Sequence, residues 1–205
     1  MQKVLTKEKN RYKMMTIKAN NNLQGGVSMN KVKKLIKIKN NETIALEKHP
    51  VPVLGIDYKV KIVYKNIKVA ELKVDNAIIK IELPNKYKNN NEYILDLAID
   101  KMYEQIAKVE IERAMEKTRL LLGFAPEDYD IKNMKKEIAR CIENKITINP
   151  KIVMFHRNII DFIILHEYCH LKYKTHSKNF YRMIEKYEPN FEEYEKILKA
   201  NLLQY

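Results

Sequence analysis

This chain of 205 residues has only two cysteines, Cys141 and Cys169, too few for a disulfide framework. It has no apolar run long enough to span a bilayer. Its N-terminus is basic but lacks the continuous apolar core of a signal peptide. A reduced, cytoplasmic setting is the expectation. There is no C-x-x-C pair to form a zinc finger, and no internal repeat. Acidic residues are almost missing from residues 1–39, where Glu8 stands against eleven Lys and Arg. That stretch carries +10 of the formal net charge of +13, so the rest of the chain is nearly balanced. A basic arm of this kind can bind nucleic acid weakly, but the balanced body argues against a nucleic-acid-binding domain.

Residues 1–28 are polar, basic and aperiodic, and read as a disordered or non-native extension. Gln24-Gly25-Gly26-Val27-Ser28 can be encoded by a purine-rich ribosome-binding sequence just before Met29, which makes Met29 the expected natural start. Residues 29–88 read as a β-rich region. Tyr58, Val60, Ile62 and Tyr64 alternate with Lys59, Lys61 and Val63, and residues 69–74 and 77–83 continue the pattern. Asp75-Asn76 signals a turn between the latter two. A small antiparallel sheet or meander is expected.

Residues 89–205 read as the core of the molecule. After the break at Asn89-Asn90-Asn91, Glu92 to Leu122 has helical periodicity through Leu95, Ile99, Met102, Ile106, Val109, Ala114 and Leu121. Gly123 supplies a stop. This long helix is expected to be a scaffold beneath the functional site. Two short strands follow within residues 131–149, with a turn at Glu143-Asn144. Ile146-Thr147-Ile148 is either a sheet edge that a peptide can extend or an ordinary core strand. Asn158 is placed to cap a helix over about 158–171, and Thr175 or Ser177 a second one ending near Tyr187. A last helix is expected from Phe191 to Leu203.

The chemistry lies in His166-Glu167-Tyr168-Cys169-His170, with His176 six residues on. Two histidines four apart project from one helix face, where a zinc ion can take both at about 2.0–2.1 Å. Glu167 is placed to take a proton from a water activated by the metal. Three imidazoles and an open position make a catalytic rather than a structural zinc site. The default reaction is amide hydrolysis with Glu167 as general base and one zinc ion per chain. His156 is the reserve ligand. Cys169 reads as core filler, and Tyr173 and Tyr181 as possible oxyanion donors.

With these residues in view, the chain resembles the YgjP-like metallopeptidase domain family, relatives of the SprT-like and WLM peptidases. The resemblance rests on His166-Glu167-Tyr168-Cys169-His170-Leu171, Thr175-His176-Ser177, Phe180 and Pro189. The lead-in Ile160-Asp161-Phe162-Ile163-Ile164 and the strand Ile146-Thr147-Ile148-Asn149 are similar too, and Leu54-Gly55 with Tyr58 echo a further element. It implies an α+β, zincin-type fold, with His166, His170 and His176 on the metal and Glu167 as base. Two departures stand out. Glu137-Ile138-Ala139-Arg140-Cys141 keeps only the cysteine of the family's R-W-G-S-C, and the proline before the metal helix is replaced around His156.

Three functions compete. The first is a peptidase acting on peptides or proteins. The second is a nucleic-acid-associated SprT-like protein, and the third a non-catalytic metal-binding interaction module. The presence of Glu167 favours the first, since a purely structural site has no use for it.

Overall fold

The computed structural model describes residues 15–17, 35–37, 43–46, 50–75, 78–88 and 91–202. Most of the basic arm, Asn76 of the expected turn and the Asn89-Asn90 break lie outside them. The chain divides into two compact units, residues 1–52 with 56–102, and residues 53–55 with 103–205. The expected division lay at residues 88/89.

The first unit is built on a mixed sheet. Its strands are β1 (Met15–Ile17), β2 (Leu35–Lys37), β3 (Thr43–Leu46), β4 (Val51–Val53), β5 (Ile56–Lys65), β6 (Ala70–Asp75) and β7 (Ile78–Pro84). The order is β1-β6-β7-β5-β3-β2, with β4 also beside β5. β1 lies within the segment expected not to pack, and it pairs with β6. The sheet is not the expected meander, because β7 inserts between β5 and β6 and runs parallel to β5. The reason is composition. Ile79, Ile81 and Leu83 make β7 strongly apolar, and all three are fully buried, as suits a central strand. The lysine alternation of β5 holds, with Lys59 and Lys61 exposed and Val60, Ile62 and Tyr64 buried.

On the polar face of β7, Glu82 is buried under lysines. Its carboxylate accepts from Lys65 at 2.7 Å, Lys80 at 2.9 Å and Lys73 at 3.3 Å. These ammonium groups pull its pKa down to about 2, against the cost of burial.

The long helix α1 (Asn91–Leu122) is a single element. Gly123, at φ 75°, ends it, its N–H donating to Arg119 O at 2.9 Å. Within the second unit its buried stripe runs through Ile106, Glu110, Ile111, Ala114, Met115 and Thr118. Leu121, expected on that stripe, is exposed, and Leu122 packs inward instead. No helix of the described residues is long and apolar enough to cross a membrane.

A three-stranded sheet follows, made of β8 (Asp128–Ile131), β9 (Ala139–Ile142) and β10 (Lys145–Ile148). Glu143, at φ 55°, forms the β9–β10 turn. The order is β8-β10-β9, so β10 has a neighbour on both sides. Ile146-Thr147-Ile148 is therefore part of the central strand, and among the described residues β8 and β9 are the two edges of this sheet. β8 was not expected from the sequence; it pairs parallel to β10.

Three helices complete the unit: α2 (Arg157–Lys172), α3 (Lys178–Tyr187) and α4 (Phe191–Leu202). Ser177 caps α3, as one of the two expected residues. The cap of α2 is His156 rather than Asn158: the imidazole Nδ1 accepts from Asn158 N at 3.3 Å. Leu54 and Gly55, both at positive φ, lie against this cap. Leu54 N donates to Val153 O at 2.7 Å and Gly55 N to Met154 O at 3.3 Å.

Candidate metal centre

Two sets of charges and one hydroxyl lock α2 onto α1. Glu110, buried in α1, accepts a two-pronged bond from Arg157 at 2.8 and 2.9 Å, and a further one from Arg113 at 3.1 Å. Asp161 accepts from Arg113 and Lys117, each at 2.6 Å. Further along α2, the Tyr168 hydroxyl donates to Met115 O at 3.1 Å in a buried setting. The expected scaffold role of α1 is thus built from ion pairs as well as apolar packing.

With α2 fixed in this way, His166 and His170 share a face one turn apart. Their Nε2 atoms are 3.2 Å from each other, and Nε2 of His176 is 3.0 Å from that of His166. Three nitrogens held at about 2.0–2.1 Å from one tetrahedral ion stand roughly 3.3 Å apart, so both separations are close to what a metal ion requires. His170 Nδ1 faces the Tyr173 carbonyl at 3.0 Å. Donation of its N–H there leaves Nε2 with a bare lone pair turned to the other two rings. Burial pushes His166 down to about 3, with His170 and His176 adding to the effect, and burial also lowers His170. Both rings are therefore neutral donors at neutral pH. The three imidazoles form a group that can hold a metal ion.

The fully buried ring of Phe180 underlies them, its centroid 4.9 Å from that of His166, 4.6 Å from His170 and 4.8 Å from His176. Phe180 belongs to an apolar cluster with Phe162, Leu165, Cys169 and Ile184. Cys169 is thus core filler, and burial raises its thiol to about 12.

Glu167 is 6% exposed, and its Oε2 has no hydrogen-bond partner. Burial raises the carboxyl to about 7, and the charge of Glu137 adds to this. Sequence reasoning missed the influence of Glu137, thirty residues away, because only the packing of β9 on α2 brings that segment to the site. On β9, Cys141 is half-buried, with Sγ 3.7 Å from Glu143 O; burial and the charge of Glu167 raise its thiol. Lys174 donates to the same carbonyl at 2.7 Å, tying the connector before His176 to the β9–β10 turn.

The remaining expectations divide. His156 caps α2 ten residues before His166, about 15 Å along the helix, and is no ligand in this arrangement. The ring of Tyr181 lies 6.0 Å from that of His176, whereas Tyr173 packs on the apolar cluster.

No curated protein matches the chain. Two solved structures are similar over part of it. One is the metallopeptidase zymogen abylysin of Pyrococcus abyssi, with 29% identity and a TM-score of 0.42, covering 45% of this chain and 95% of that one. The other is the metallopeptidase zymogen jannalysin of Methanocaldococcus jannaschii, with 26% identity and a TM-score of 0.40, covering 44% and 89%. Over residues 27–201 the sequence matches the YgjP-like metallopeptidase domain, and the chain belongs to that family.

Proposed function

We propose that this protein is a zinc-dependent peptidase with a zincin-type active centre. In it, His166, His170 and His176 hold one zinc ion, and Glu167 is the general base. The observation that carries this reading is a single juxtaposition. Three imidazole Nε2 atoms converge at metal-ligand separations beside a buried carboxylate that has an unpartnered oxygen.

Zinc held by His166, His170 and His176 would supply Lewis acidity, of use for a scissile carbonyl and for activating water at neutral pH. The chain's own residues do the rest. Glu167, with a pKa pushed up to about 7, takes the proton of the attacking water and delivers it to the leaving amine. The Tyr173 carbonyl keeps the His170 ring in its tautomer. Phe180 closes the floor of the site to water.

An extended peptide adds to the open edge of β9 by main-chain hydrogen bonds. Substrates are accordingly peptides or unfolded protein segments, which can present an extended strand.

The test is metal analysis combined with cleavage of a panel of unfolded proteins, for the native chain and for Glu167→Gln. The variant should keep its zinc and lose roughly 10²–10⁴-fold in turnover. Equal turnover by the two proteins would remove Glu167 from the mechanism.

A further inference from the structure

A cavity of about 350 Å³ opens in the second unit, beside the start of β9. That is within the range of roughly 300–1,000 Å³ typical of ligand pockets. Met134, Ile138, Met154 and Phe155 give it an apolar lining. Lys135, Lys136 and Lys151 also line it, against one acid, Glu137.

The wall is built rather than incidental. The Asn149 side chain, buried to 4% exposure, donates to Met134 O at 2.9 Å and Glu137 O at 3.1 Å. It also accepts from Lys151 N at 3.1 Å, and Asn149 N donates to Ile138 O at 2.8 Å. One buried amide thus pins three parts of the lining.

The cavity also lies at the start of the strand that packs on the helix of the candidate active centre. Ile138 directly precedes β9, which among the described residues is an edge strand, and β9 packs on the helix bearing His166 and Glu167.

We propose that this cavity is a specificity subsite for peptide bound along β9: it takes a bulky apolar side chain whose neighbours in the peptide are acidic. The proposal rests on the peptidase reading. An apolar side chain gains by leaving water for the Met, Ile and Phe lining, and flanking carboxylates meet the lysines.

The experiment uses the full chain carrying Glu167→Gln, so that binding is read without turnover. Fluorescence anisotropy would compare three labelled peptides: Gly-Ser-Asp-Phe-Glu-Ser-Gly, the same with Ala for Phe, and the same with Lys for both acids. The Asp-Phe-Glu peptide should bind roughly tenfold more tightly than either other one. Adding Lys135→Glu and Lys136→Glu, both exposed positions, should invert the charge preference while leaving the preference for Phe over Ala. The control pair Lys59→Glu and Lys61→Glu should change neither.

Equal binding of the three peptides, or a charge preference that survives the Lys135/Lys136 reversal, overturns the subsite. Cleavage by the native protein is measured in parallel. Preferential binding with inversion but no cleavage of any peptide would count against the peptidase reading and leave the cavity as a peptide site.

Discussion

The Tyr168 hydroxyl donates to the Met115 carbonyl at 3.1 Å, and the bond is buried between α2 and α1. Tyr168 lies between His166 and His170 in sequence but points to the opposite side of the helix. The bond therefore fixes the rotation of α2 and, with it, the direction of both imidazoles. Tyr168→Phe keeps the ring and removes only the bond. It should cost about 1 kcal/mol in denaturant unfolding while leaving metal content unchanged. A loss of metal at full stability would mean that the hydroxyl serves the site more directly.

Gly55 makes a similar fixed point. Its φ is +77°, and a Cβ built there would lie 3.0 Å from His156 Cβ, at the cap of α2. Gly55→Ala should destabilise by about 1–3 kcal/mol, from strained backbone and crowding together. Gly55→Asn separates the two, because Asn tolerates positive φ but still carries a Cβ. If crowding against His156 matters, both variants lose stability; a neutral Asn variant would assign the whole cost to φ.

The pattern of what the sequence disclosed follows from locality. The convergence of the three histidines was legible because His166 and His170 are placed by helix geometry and His176 by a short connector. Gly123, Ser177 and the bounds of α2, α3 and α4 rest on equally local signals. Strand neighbours were not legible, because they are chosen by distant partners. β8 reads Asp128-Tyr129-Asp130-Ile131, a poor strand by composition, and it forms because β10 lies parallel to it with Lys145 across from both aspartates. The central place of β10, with β8 and β9 at the two edges, depends on that pairing. His156 was missed as a cap because an imidazole is an uncommon residue for that task.

Glu82 supplies a pH test. Its folded pKa, about 2, lies below its ordinary value of 4.5, because three lysines surround it. The carboxylate thus contributes stability that is fully present above pH about 4.5 and is lost as pH falls toward about 2. Glu82→Gln should cost on the order of 1–3 kcal/mol at pH 7. The gap from the native protein should close in unfolding curves taken at progressively lower pH. A gap that stays constant down to pH about 2 would show that shape rather than charge is what Glu82 provides.

Metal stoichiometry tests the ligand set. The native chain should hold one zinc per molecule after dialysis against metal-free buffer. His176→Ala should weaken retention by more than the roughly 10–100-fold typical of lost outer hydrogen bonds, whereas His156→Ala should retain it. Unchanged zinc in His176→Ala would move the third ligand elsewhere.

The six-residue step from His170 to His176 has one more consequence. Two of the proposed ligands ride on a helix already clamped to α1, but the third is exposed and stands at the start of α3. An ion gripping all three acts as a clasp across that connector, cross-linking α2 to the C-terminal helices at a single point. By mass action, a species that binds only the closed form deepens its free-energy well. Zinc supply would then govern how long the C-terminal helices survive cellular proteases, independently of any peptide the enzyme cuts.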